Sequence, residues 1–130
     1  MNNEEHIKFW IDSSDENFQS MKNMFGAGEY MWALFIGHLS IEKLLKAYYI
    51  KTMGGDVPRT HDLFRLAVKT GLEMTEDQKD ILQYITLFNL ETRYEDYKKD
   101  FYRKCTRGFT EQNISKIEDV RTWLKQKIKN

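Results

Sequence analysis

Apolar side chains recur along this chain at three- and four-residue steps, the spacing that places them on one face of an α-helix. Ile7, Trp10, Ile11, Phe18, Met21 and Phe25 define a first amphipathic helix that ends before Gly26 and Gly28, with a mostly acidic outer face. A second helix is predicted over about Glu29 to Met53, where Gly54 and Gly55 terminate it. It is apolar on most sides, from Tyr30, Met31 and Trp32 through Leu44, Leu45 and Ile50, so it is expected to be enclosed on most sides. At about 1.5 Å per residue it spans roughly 37 Å, enough for a central rod or one shared with a second subunit.

A short third helix follows Thr60, whose hydroxyl is expected to cap it while Asp62 complements its dipole; Leu63, Leu66 and Ala67 face inward until Gly71. A fourth opens on Thr75 and Gln78, a capping-box pair, and aligns Ile81, Leu82, Ile85 and Phe88. Leu87 and Leu90 fall on its opposite side, which predicts a second buried contact. The last helix is predicted from Thr110, after Gly108, with Ile114, Ile117, Val120, Leu124 and Ile128 in one stripe and Arg121 inside it. Between the last two, Arg93 to Arg107 interleaves aromatic and basic residues without a clear period, so an ordered loop or broken helix is expected. The chain thus reads as one all-α domain over residues 1–130, an antiparallel up-and-down bundle of four long helices plus one short helix.

Composition narrows this picture. With 20 basic and 20 acidic side chains the formal net charge is zero, which excludes an overall basic nucleic-acid binder. The charge is uneven, however: residues 1–97 hold 10 basic and 16 acidic side chains, and 98–130 hold 10 and 4. Opposite helices packing together account for this as readily as a phosphate-binding face does. The longest apolar run, Tyr30 to Gly37, is far below the roughly 20 residues of a membrane-spanning helix, and residues 1–12 lack the layout of a secretory signal. A cytoplasmic location is therefore expected. The single Cys105 reads as an ordinary thiol, and no cofactor is expected.

Candidate chemistry falls in three places. His38, Glu42 and Lys46 lie at four-residue steps and point the same way, which suits a phosphate or, with further ligands, a metal. The plainer expectation is a Glu42–Lys46 ion pair beside a hydrogen-bonded histidine, and no metal. Thr60-His61-Asp62-Leu63 places backbone N–H groups and a titratable imidazole at a helix start. The Arg93 to Arg107 stretch offers Tyr94 for stacking and arginines and lysines for phosphate, diluted by Glu95, Asp96 and Asp100.

Ile41-Glu42-Lys43-Leu44-Leu45-Lys46-Ala47, then Pro58 and Thr60-His61-Asp62-Leu63, then Thr92-Arg93-Tyr94, resemble in order and separation the HEPN (higher eukaryotes and prokaryotes nucleotide-binding) domain family. The resemblance covers nearly the whole chain. It implies a helical bundle that forms homodimers, and a minimal nucleotidyltransferase as a genetic or physical partner. Many HEPN proteins are metal-independent ribonucleases, some of them toxins of toxin–antitoxin pairs, with an arginine and a histidine four to six residues apart. That signature is absent: the histidines are His6, His38 and His61, and none follows Arg93. The expectation is therefore a non-catalytic, homodimeric module binding a nucleotide, RNA or a nucleotidyltransferase partner through Lys43, Lys46, His61, Arg93 and Tyr94. The alternative is a toxin-type endoribonuclease in which Arg93 and His61 form a non-standard catalytic pair.

Overall fold

The computed structural model describes all 130 residues and contains six helices: α1 (Asn3–Gly26), α2 (Tyr30–Thr52), α3 (Leu63–Lys69), α4 (Glu76–Arg93), α5 (Glu95–Lys104) and α6 (Arg107–Lys129). The four long helices alternate in direction. Ser14 of α1 donates to the Ser40 carbonyl of α2, and Arg121 and Lys125 of α6 both reach Asp15 of α1, each at 2.6 Å. At the far end Lys51 of α2 donates to the carbonyls of Lys127 and Ile128, capping α6 with the cation its dipole favours. So α2 and α6 run parallel across the bundle, and α1 and α4 run against them.

The predicted stripes form the core. Leu34, Ile41, Leu44, Leu45 and Ala47 of α2 are fully buried, together with Met21, Leu82, Ile85, Ile117 and Leu124 from the surrounding helices. Each large apolar side chain so enclosed contributes roughly 1.5–3 kcal/mol relative to exposure. Packing of α2 against α1, α3, α4, α5 and α6 explains why its sequence is apolar on most sides. Arg121, inside the α6 stripe, is buried against Asp15 and Ser14, with its guanidinium 4.3 Å from the Phe18 ring centre. Burial works against the Asp15 charge, but hydrogen bonds from Lys125 and Arg121 outweigh it and hold the carboxyl below its usual range.

Gly37 sits where three helices meet. A Cβ there would lie 2.6 Å from Ile117 Cδ1 and 2.8 Å from Met21 Sδ. Alanine needs only small shifts of two side-chain ends and recovers up to about 1 kcal/mol of helix propensity, so it is expected to be near neutral. Gly37→Val overfills the junction and is expected to lower the unfolding free energy by about 1–3 kcal/mol in urea titration; an unchanged midpoint and slope would contradict the packing.

Four details depart from the sequence pattern. There are two short helices, because Arg93–Arg107 contains the helix α5, separated from α4 by extended backbone at Tyr94 (φ −97°, ψ 122°). Asp62 rather than Thr60 caps α3, accepting from Arg65 N, while Thr60 Oγ1 accepts from Asp62 N in the preceding turn. Helix α6 starts at Arg107 with Thr106 as its cap, so Gly108 lies in its first turn and Thr110 is already helical. Leu87 and Leu90 make no second buried contact within the chain; each is 39% exposed.

Candidate functional site

The one-turn spacing of His38, Glu42 and Lys46 aims all three from α2 at the loop that leads into α3. Glu42, only 4% exposed at its side chain, is the hub. Its Oε2 accepts from Lys46 Nζ at 3.0 Å and its Oε1 from His61 Nδ1 at 2.7 Å. Burial disfavours the Glu42 charge, yet the hydrogen bonds from His61 and Lys46 outweigh it and hold the carboxyl below its usual range. The predicted ion pair thus exists, and it extends to a histidine 19 residues away.

An ionised carboxylate only accepts, so Glu42 keeps the proton of His61 on Nδ1. In the neutral ring Nε2 is then a free acceptor, and in the charged ring a free donor, on a side chain 51% exposed. Lys46 is equally constrained. Its side chain is 17% exposed, and the ammonium lies 4.9 Å from the Trp10 ring centre.

His38 fixes the same loop through its backbone. Its Nε2 donates to the His61 carbonyl at 2.7 Å, and because a carbonyl cannot donate, the neutral ring leaves Nδ1 bare. Nδ1 is buried without a partner. Burial pushes the His38 pKa down to about 4, against the backbone hydrogen bond and the nearby Glu42 charge. Residue 61 is therefore held by α2 twice, through its carbonyl by His38 and through its ring by Glu42.

Of the expected site residues, Lys46 and His61 are brought together, with Glu42 between them. Arg93 and Tyr94 form a second pair where α4 ends: Arg93 Nε donates to Asn89 Oδ1 at 2.5 Å and the guanidinium lies 5.3 Å from the Tyr94 ring centre. The Arg93 charge is among those opposing protonation of His38. Lys43 stands apart, since one residue along a helix turns its side chain by about 100°. It is half-buried and makes no hydrogen bond, and burial lowers its pKa.

Two contributors were not singled out in the sequence. Trp10 of α1 and Arg59 of the loop line, with Lys46, Asp56, Val57 and Pro58, a cleft of about 420 Å³. Arg59 is exposed and enters no ion pair. Its place beside the lone proline was the only available signal, because nothing in a periodic pattern ties a loop residue to Trp10. Another cavity, of about 290 Å³ between α4 and α6, is lined by Ile81, Val120 and Trp123 but by no histidine or arginine. No group of three or more His, Cys, Asp or Glu side chains is placed to hold a metal ion. Burial raises the Cys105 pKa to about 12, so its thiol is a poor nucleophile near neutral pH. No helix is long and apolar enough to cross a membrane.

The HEPN domain model matches residues 7–128 of the chain. The crystal structure of TT1696 from Thermus thermophilus superimposes with a TM-score of 0.79 at 20% identity, covering 93% of this chain and 97% of that one. At that identity the likeness is one of fold. No curated protein matches the sequence.

Proposed function

Because the chain belongs to the HEPN domain family, we propose that it is a non-catalytic, homodimeric module that binds the phosphates of a nucleotide or RNA. The observation that carries this reading is the Lys46–Glu42–His61 network, which holds a cation and a half-exposed imidazole at fixed positions beside a cleft that also contains Arg59. A preordered lysine loses little side-chain entropy when it meets an anion. Arg93 and Tyr94 supply a second cation and an exposed ring on which a base can stack. Exposed Trp32, Leu87, Leu90 and Tyr97 favour an apolar contact between two copies.

Fluorescence anisotropy with a labelled single-stranded RNA tests the reading. Wild type is expected to bind with a salt-dependent affinity, and Lys46→Ala to weaken binding several-fold and to reduce the slope of log K against log salt by about 0.7, one phosphate's worth. Absence of RNA and nucleotide binding, with a nucleotidyltransferase-type protein retained instead, would overturn it in favour of a protein-binding module.

One feature favours a second reading. A carboxylate that fixes an imidazole tautomer and leaves Nε2 accessible is the arrangement of a general base with its orienting group. His61 with Arg93 would then serve a toxin-type endoribonuclease. RNA cleavage in the presence of chelator that is lost in His61→Ala selects this reading over the first.

A further inference from the structure

The cleft beside Lys46 does not end at Trp10. A second compartment, of about 200 Å³, adjoins it and is lined by Phe9, Trp10, Ile50 and Val57, together with His6, Asp56 and the chain's first residue. Trp10, Asp56 and Val57 line both compartments. The order across the cleft is therefore a largely apolar and aromatic chamber that also holds the His6 imidazole, then a shared carboxylate, then the cations Lys46 and Arg59.

Each part has a chemical complement. The apolar chamber, walled by Phe9 and Trp10 with their rings edge-to-face at 5.1 Å, suits a flat heteroaromatic ring. Asp56 is exposed at the junction and enters no ion pair, so both its oxygens are free to accept from vicinal hydroxyls. Arg59 and Lys46 provide a charged fork and a point charge for a phosphate. Glu42 offsets part of the Lys46 charge, so the exposed and unpaired Arg59 carries the larger share of the attraction for that phosphate.

Resting on the phosphate-binding reading, we infer that the two compartments together hold one ribonucleoside carrying a terminal phosphate, base against Phe9 and Trp10, ribose hydroxyls on Asp56, phosphate on Lys46 and Arg59. The apolar chamber has room for one base and not for a run of them. The ligand is a free mononucleotide or the phosphorylated end of a strand.

The test follows the indole N–H signal of Trp10 in a nitrogen-correlated NMR spectrum, identified as the one missing in Trp10→Phe. AMP is expected to move it saturably and to bind at least tenfold tighter than ribose 5-phosphate. Phe9→Ala, a change at a half-exposed position, is expected to weaken AMP at least fivefold and leave ribose 5-phosphate unchanged. Asp56→Ala is expected to erase a preference for AMP over 2′-deoxy-AMP, with the Trp32 and Trp123 indole signals reporting an intact fold. A 5′-phosphorylated hexaribonucleotide that moves the same signal as tightly as AMP identifies a strand end; movement by AMP alone identifies the free nucleotide. Equal binding of AMP and ribose 5-phosphate overturns the inference. So does a Trp10 signal that stays still while those of Lys46 and His61 move, a result that leaves the phosphate-binding reading in place.

Discussion

Lowering the pH from 7 to 4 is expected to remove about 3 kcal/mol of stability through His38 alone. Its pKa is about 4 in the folded protein against an ordinary value of 6.5, and each unit of difference is worth about 1.4 kcal/mol. A depressed histidine pKa means that the unfolded chain binds the proton first. The stabilisation is thus complete above pH 6.5, declines as the pH falls towards 4, and has no further share to lose below that. The cause is geometric: Nε2–H is committed to the His61 carbonyl, and a proton on Nδ1 would be buried without an acceptor. Glu42 and Asp15 act in the same direction, but their lowered pKa values confine their losses to the range below about pH 4.5. Urea titrations between pH 6.5 and 5 separate His38 from those carboxylates, and about 1.6 kcal/mol should disappear there. His38→Gln keeps an amide donor for the carbonyl and should flatten that slope; a wild-type slope of zero, or an unchanged slope in the variant, contradicts the assignment.

The second large effect concerns Glu42. Its replacement by alanine leaves Lys46, 17% exposed, with no carboxylate and frees the His61 ring. Breaking a buried ion pair from one side costs about 3–5 kcal/mol. Because both partners keep some solvent, the loss here is expected at about 3 kcal/mol. Glu42→Gln preserves the shape and one acceptor, so its cost should be about half. Both variants should also lose roughly tenfold in RNA affinity, since neither holds Lys46 and His61 in place. A Glu42→Ala protein that unfolds at the wild-type urea concentration and binds RNA as tightly would show that the network neither stabilises the fold nor presents the site.

Much of this was legible in the residues themselves. The long helices follow from apolar periodicity, and α2 declares its central position by being apolar on most sides. Helix α5 did not, because Phe101 is its only buried residue and one anchor makes no period. The caps of α3 and α6 are ambiguous in sequence for a common reason. Thr60 and Asp62, like Thr106 and Thr110, are all competent caps, and only the backbone conformation decides which side chain meets a free N–H. Leu87 and Leu90 lie on the face of α4 away from its core stripe, and nothing within one chain covers them. At the site, helical spacing gave the Glu42–Lys46 pair, whereas the bond from Glu42 to His61 depends on the path of the intervening loop. The grouping of Trp10 with Arg59 has the same origin: it depends on how α1 and the loop both pack beside α2.

The most direct test of phosphate recognition is to add an unlabelled single-stranded hexaribonucleotide to isotope-labelled protein and map which resonances move. Saturable shifts are expected at Lys46, at the His61 ring and at Arg59, weakening as salt rises. Binding that leaves Lys46 and His61 unmoved, or no binding at low salt, would contradict it.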